Sequence, residues 1–345
     1  MSQDLRDLPK VELHRHLECS LRLSTLKELA VFAGLAVPFS ETDIKREWLV
    51  TEPMNDLESV LKKFLVTQKV LATEEILTRI TYEAIEDASH EGIRILELRY
   101  APTYIREGHP HLSFDSIHQA IMKGVTQASH LPIAVGIMIL IQRTLSLTDA
   151  ASVTDFAIAH KGEILALDLA DNEAGFEPRK FSSLFERAKK SGLHITVHSG
   201  ESDVAEAAGY VKDAIQYLGA ERIGHGVQIY KSPEVIRFVR NSLVPLELCP
   251  TSNWLTNAVP TLKQHPFRRL MEEGILVTLN SDDPGVFNID LTNEYAVLER
   301  ELKFTADEFK RIGDIAASSS FIPMSKKQKH WPRVIDPTIA PQSNN

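Results

Sequence analysis

Four separated segments of the chain carry ionisable side chains in a pattern suited to metal-assisted hydrolysis: His14 with His16, His198 with Glu201, His225, and Asp282 with Asp283. Each closes a short, largely apolar run, and such runs read as β-strands whose ends meet in space although far apart in sequence. Side chains alternate along a strand, so His14 and His16 share one face while Arg15 takes the other. The pair alone is a weak sign of metal binding, because structural histidines are common. Taken singly, His198 also reads as a core or capping histidine, and Asp282 and Asp283 as a turn before Pro284. Their joint placement favours chemistry. His14, His16, His198 and Asp282 supply three imidazole nitrogens and a carboxylate oxygen, a set that suits zinc with room for water. A divalent ion there lowers the pKa of bound water toward about 7, which points to hydrolysis or deamination.

Glu201 lies just past Gly200 in a strand-to-helix turn, where an apolar cover raises a carboxyl pKa, so it reads as the general acid. Its structural alternative is a first-turn glutamate favoured by the helix dipole. His225, between Gly224 and Gly226, is expected to orient or deprotonate the attacking water, with a role as ligand to a second metal as the competitor. The strand from Ile164 to Ala170 holds no lysine that could bridge two metals, so one zinc ion per chain is expected.

The elements that must position these groups are legible as eight apolar runs: Val11 to Leu17, Ile93 to Ala101, Ile133 to Ile141, Ile164 to Ala170, His194 to His198, Arg222 to Val227, Val244 to Cys249 and Leu276 to Leu279. Segments with helical spacing lie between them, among them Glu74 to His90, Lys180 to Ser191, Ser202 to Leu218, Pro233 to Asn241 and Leu262 to Glu273. Gly192, Gly219 and Gly274 follow three of these as C-caps. Strands nearly continuous in Val, Ile and Leu, alternating with helices, imply a parallel sheet covered on its outer face. The expected fold is therefore α/β, a TIM (β/α)8 barrel, with an open doubly wound sheet as the alternative. Additional helices between strands 1 and 2, Ser24 to Ala33 and Leu57 to Leu71, are placed to cap the barrel mouth. Residues 1–323 read as a single barrel domain and 324–345 as a weakly structured, solvated C-terminal tail.

Of the 345 residues, 43% are hydrophobic and 25% charged, ordinary for a globular protein with an ample core. A formal charge of -9 argues against a general affinity for nucleic acid or anionic membrane, leaving a small molecule as the expected partner. Cys19 and Cys249 are the only cysteines, too few for a disulfide framework and compatible with a reducing compartment. The acidic start does not resemble a secretory signal, and Ile133 to Ile141 falls far short of the roughly 20 apolar residues that span a bilayer. A cytoplasmic location is expected.

Taken together, Pro9-Lys-Val-Glu-Leu-His-Arg-His-Leu-Glu18, His198-Ser-Gly-Glu201, Arg222-Ile-Gly-His-Gly226, Cys249-Pro-Thr-Ser-Asn253 and Ser281-Asp-Asp-Pro284 resemble the adenosine deaminase family, in the adenosine/AMP deaminase branch of the metal-dependent hydrolases. The likeness runs from the first strand to the last. It implies that His14, His16, His198 and Asp282 bind zinc, that Glu201 protonates purine N1, and that His225 assists attack at C6. It further implies that His16, Glu18, Asp171 and Asp283 meet the substrate, Asp283 at purine N7 and Glu18 at the ribose. Two positions depart from the family pattern: Asp171 and Cys19 stand where glycine is usual, which bears on substrate choice. The Pro-Cys-x-x-Cys element of the cytosine and nucleic-acid deaminases is absent. The expected reaction is hydrolytic deamination of adenosine, and of 2′-deoxyadenosine, to inosine and 2′-deoxyinosine with release of ammonia. Alternatives are deamination of adenine, 6-aminodeoxyfutalosine or a modified adenine nucleoside, a metal-dependent amidohydrolase of a non-purine substrate, and a non-catalytic nucleoside-binding barrel.

Overall fold

The computed structural model describes residues 4–338. Eight parallel strands follow one another in chain order around a barrel: β1 (Lys10–His16), β2 (Ile93–Tyr100), β3 (Ala134–Gln142), β4 (Ile164–Ala170), β5 (His194–Ser199), β6 (Arg222–His225), β7 (Leu246–Leu248) and β8 (Val277–Leu279). The order β1 to β8 without a switch point rules out the doubly wound alternative. Closure between β8 and β1 is made at the upper rim, where Arg15 bridges Asp282, Asp282 N–H donates to His14 O (2.9 Å) and His16 N–H to Asp282 O (3.0 Å). Below that point the side chain of Asn280 takes over, its Oδ1 accepting from Leu13 N–H (3.0 Å).

Five helices fill the long connection between β1 and β2: α1 (Leu23–Phe32), α2 (Glu41–Glu47), α3 (Leu57–Leu61), α4 (Leu65–Val70) and α5 (Glu74–His90). The expected additional helices are therefore present, the second divided into α3, a 3-10 turn and α4. Next come α6 (Pro102–Arg106), α7 (Phe114–Gln127), α8 (Leu147–Ala159), α9 (Ser182–Lys190), α10 (Ala207–Asp213), α11 (Pro233–Ser242), α12 (Pro250–Leu255), α13 (Phe267–Glu272), α14 (Pro284–Phe287), α15 (Leu291–Leu302), α16 (Ala306–Ser319) and α17 (Met324–Lys327). No described helix is long and apolar enough to cross a membrane.

The apolar core lies between the strands and the surrounding helices, while the barrel interior is filled by buried charge. Arg222 donates to Glu97 (2.6 Å) and Glu247 (2.6 Å), and Arg99 to Asp168 (2.6 Å) and Glu247 (2.8 Å), all fully buried. Phe321 lies under this layer with its ring 3.7 Å from the Arg222 guanidinium, plugging the lower end.

The segment after Pro323 differs from the solvated tail expected of it. Trp331 and Ile335 are buried against Val11, Leu13, Ile95, Ala316 and Ile322, and Lys327 Nζ donates to Ser318 O and Ser320 O. The lysines and prolines of this stretch disguised two apolar anchors that seal the bottom of the barrel. The end of the expected tail, 339–345, lies outside the described residues.

Candidate active site

All the sequence-predicted groups gather at the C-terminal ends of the strands, the end at which TIM barrels carry their sites. His14 and His16 come from β1, His198 from β5, His225 from the end of β6, and Asp282 and Asp283 from the segment after β8. Three non-glycine residues here adopt positive φ: Asp171 (84°), His225 (59°) and Asp282 (67°). Such conformations cost of order 1–3 kcal/mol each and persist where the surroundings over-determine them. Asp282 is held by its two backbone bonds to β1, and Asp171 by its own carboxylate, which accepts from Thr144 Oγ1 (2.5 Å) and Asn172 N–H (2.7 Å).

The imidazoles converge. His16 Nε2 lies 3.1 Å from His198 Nε2 and 3.2 Å from Asp282 Oδ1. His14 Nε2 lies 3.2 Å from the same oxygen, yet it is buried with no hydrogen-bond partner. The far nitrogens are anchored: His14 Nδ1 meets Glu247 (2.7 Å) and His198 Nδ1 meets Asp168 (3.1 Å), with Arg99 gripping both carboxylates. Ser252 Oγ donates to Asp282 Oδ2 (2.7 Å). Imidazole nitrogens packed around one carboxylate oxygen, with His14 and His198 oriented from behind, form a group that fits a buried metal ion. Gly224 permits the crowding, since a Cβ there would come within 2.8 Å of His14 Cε1 and 3.2 Å of His198 Cα.

Burial pushes the His198 imidazole down to about 3 and His225 well below its ordinary value, so both are neutral. Burial works against ionisation of Asp282 too, but His14 and His16 hold it well below the usual carboxylate range. Glu201 and Asp283 go the other way. Burial, reinforced by the charge of Asp282, pushes both well above that range and leaves each a proton to donate. Glu201 is fixed by Glu173, whose carboxylate accepts from Gly200 N–H (2.9 Å), Glu201 N–H (2.6 Å) and Ser202 N–H (2.5 Å).

His225 contributes a fifth potential donor, since its ring lies within 4.8 Å reach of His14, His198 and Asp282. A relay that sequence reasoning missed decides its protonation. Phe267 N–H donates to His265 Nδ1 (3.1 Å), and burial brings His265 down to about 3, so this neutral ring carries its proton on Nε2. That proton goes to Asn253 Oδ1 (3.1 Å), which turns Asn253 Nδ2 toward His225 Nδ1 (3.1 Å). The remaining His225 proton therefore sits on Nε2, 3.5 Å from Glu201 Oε2 and 3.8 Å from Asp282 Oδ2. A nitrogen that carries a proton donates hydrogen bonds and does not ligate.

These groups floor a cavity of about 250 Å³. Glu18, Cys19, Tyr104, Glu107 and Asp171 line it, as do Leu57, Leu61 and Phe64 from α3 and the turn after it. Among the described residues no lysine or arginine lines it. Glu18 Oε1 accepts from Ala101 N–H (2.5 Å), Oε2 is buried without a partner, and burial pushes the carboxyl up to about 7. Sequence reasoning missed Arg99, Glu247, Glu173, Asn253 and His265. Charges inside apolar strands, as in Leu246-Glu-Leu248 and Leu98-Arg-Tyr100, were the available signal.

A family model described as adenosine deaminase matches residues 9–337. Adenosine deaminase of Edwardsiella ictaluri (strain 93-146) is 35% identical over 322 residues, covering 93% of this chain and 96% of that protein. Adenosine deaminase of Clostridium acetobutylicum is 33% identical over 323 residues, covering 93% and 95%. Among solved structures, an adenine deaminase from Arthrobacter aurescens is similar with a TM-score of 0.85 at 27% identity, covering 93% of this chain and 96% of that one. The N6-methyl-AMP deaminase of Arabidopsis thaliana follows the fold with a TM-score of 0.80 at 28% identity, covering 94% and 96%. The chain belongs to the adenosine deaminase family and is a hydrolase acting on carbon–nitrogen bonds.

Proposed function

We propose that this protein hydrolyses adenosine and 2′-deoxyadenosine at C6, consuming water and releasing ammonia with inosine or 2′-deoxyinosine. The observation that carries the reading is the pair of proton-holding carboxyls at the imidazole cluster, Glu201 with Oε2 3.5 Å from His225 Nε2 and Asp283 within 4.8 Å of His16 and Asp282. His14, His16, His198 and Asp282 would hold one zinc ion per chain, which supplies a water acidic enough to attack at neutral pH. Glu201 gives its proton to purine N1, which makes C6 electrophilic, and Asp283 donates to N7. His225 enters as a donor: Nε2–H holds the attacking oxygen in line with C6. In becoming the product carbonyl that oxygen sheds two protons: one leaves on the C6 amino group as ammonia, and the other returns to Glu201, whose Oε2 lies 3.5 Å from the same nitrogen.

The walls favour a nucleoside over a nucleotide. Without a lysine or arginine, a phosphate would face Glu18, Glu107 and Asp171 with nothing to neutralise it. The Arabidopsis relative named for N6-methyl-AMP is thus separated from this chain by the phosphate. Gly224 must stay small beside the imidazoles, since a Cβ there would come within 2.8 Å of His14 Cε1. Asp171 would offer its backbone N–H to N3, its carboxylate being tied back to Thr144. One observation favours a second reading, free adenine: the unpartnered Glu18 Oε2 can accept from a base N–H as well as from a ribose hydroxyl. The net charge and two buried free thiols support a small-molecule enzyme of the reducing cytoplasm.

The test is ammonia release by the zinc-loaded protein from adenosine, 2′-deoxyadenosine, adenine, AMP and 6-aminodeoxyfutalosine. Adenosine should have the highest kcat/KM. AMP should fall at least ~100-fold below it, the cost of burying an unpaired charge being some 3 kcal/mol. Fastest turnover of adenine or AMP would move the substrate, and silence across the panel with metal bound would overturn the reading.

A further inference from the structure

We propose a second metal site on the outside of the barrel, in which His118, His160 and Glu163 bind a late first-row divalent cation such as Ni2+, Cu2+ or Zn2+. The three side chains come from three elements: His118 from α7, His160 from the cap of α8, and Glu163 from the turn leading into β4. Their donor atoms lie within 4.8 Å of one another. Glu163 Oε2 is 3.2 Å from His118 Nε2 and 3.8 Å from His160 Nδ1, separations that bracket the ~3.4 Å edge of a tetrahedron with ~2.1 Å bonds.

The protonation of the rings leads to the same place. His160 Nε2 donates to Asp115 Oδ1 (2.9 Å), so a neutral His160 presents a bare lone pair on Nδ1 to the Glu163 carboxylate. A cation held between Nδ1 and the Glu163 carboxylate, 3.8 Å apart, would join the two. His118 is anchored in the same manner, its Nδ1 lying 3.0 Å from Tyr100 Oη, and a proton placed on Nδ1 leaves Nε2 free to ligate. Each ring thus has an outer partner on the nitrogen turned away from the site, as His14 and His198 have in the catalytic cluster. The His118 side chain is 1% exposed whereas Glu163 is 53% exposed, so the floor is rigid and the entry open. Two nitrogens and one carboxylate oxygen, with solvent completing the coordination, select imidazole-preferring metals over Mg2+ or Ca2+.

Calorimetric titration of the full zinc-loaded protein with Ni2+ tests the site, with zinc content measured before and after to exclude displacement at the catalytic cluster. One further equivalent should bind, and it should be lost in His160→Ala and in Glu163→Gln, the latter a solvent-exposed change that guards against a folding defect. Asp115→Asn should weaken binding ~10- to 100-fold through the outer partner. Removing the other surface pair, His109→Ala with His111→Ala, should leave it intact, and none of these variants should alter deaminase turnover. No further equivalent below about 1 mM Ni2+, or undiminished binding by His160→Ala, would overturn the proposal.

Discussion

Asn253→Asp is expected to reverse the proton order of the relay that ends on His225, at almost no change in side-chain volume. In the parent, Phe267 N–H, His265 and Asn253 each leave one choice to the next group, and the outcome is a proton on His225 Nε2. An aspartate accepts from both rings. His265 keeps its bond, but His225 must turn its proton to Nδ1, and Nε2 becomes a lone pair facing the attacking oxygen. Loss of one aligned donor to a reacting oxygen costs about 10²–10³ in kcat, or about 3–4 kcal/mol. KM should stay within about threefold and zinc content unchanged, because Asn253 bonds only to the two rings and its neighbouring backbone. A second signature separates this from general damage. The new buried carboxylate raises the His225 pKa, and below that value the ring carries both protons, so Nε2–H returns and activity recovers on acidification. Steady-state absorbance assays from about pH 6 to 8, with metal analysis of the same samples, read all three quantities. A variant with parental kcat at neutral pH, or a loss that deepens toward acid, would refute the tautomer assignment, and a gain in kcat would show that His225 serves as a base.

Glu201→Gln should lower kcat by ~10²–10⁴ in the deaminase assay while the protein retains zinc and binds nucleoside in calorimetry, since a proton donor and not a ligand is removed. Asp282→Ala should deplete the metal on dialysis, because both neighbouring imidazoles lose the oxygen they share, and retention of a full equivalent would contradict its place in the set. Glu294, which caps α12 through Thr251, has its carboxyl pushed by burial from 4.5 up to about 7. A raised folded-state pKa means stability that is present below about 4.5 and lost as pH climbs toward 7, so relative to Glu294→Gln the parent should lose up to about 3 kcal/mol across that window in urea unfolding. Trp331→Ala should cost about 3–5 kcal/mol by the same method, since the indole fills the barrel floor and donates to Asp314 (3.0 Å); a change under 1 kcal/mol would mean that the segment does not seal it.

The strands were legible because a parallel sheet covered on its outer face writes continuous apolar runs, and the eight expected runs agree with the eight observed strands to within a few residues at either end. Sites at strand ends inherit that legibility, so His14, His16, His198, His225 and Asp282 could be brought together before any coordinates. What periodicity does not encode is which groups stand behind them. Glu247 sits in the middle of a three-residue apolar strand and Arg99 near the end of another, and each reads as an interruption of a hydrophobic pattern until the barrel interior is seen to be polar. Asn253 was visible only as a motif letter, and His265, twelve residues on, carried no signal, because their meaning lies in the direction of a hydrogen bond and not in residue type. The same blindness produced the error at the C-terminus, where two anchoring side chains count for little in a window average but close the barrel. In this protein the groups proposed to meet substrate and metal follow from spacing, whereas their proton positions follow from outer partners such as Phe267 N–H, and only the folded arrangement shows that one backbone amide sets the tautomer of His225.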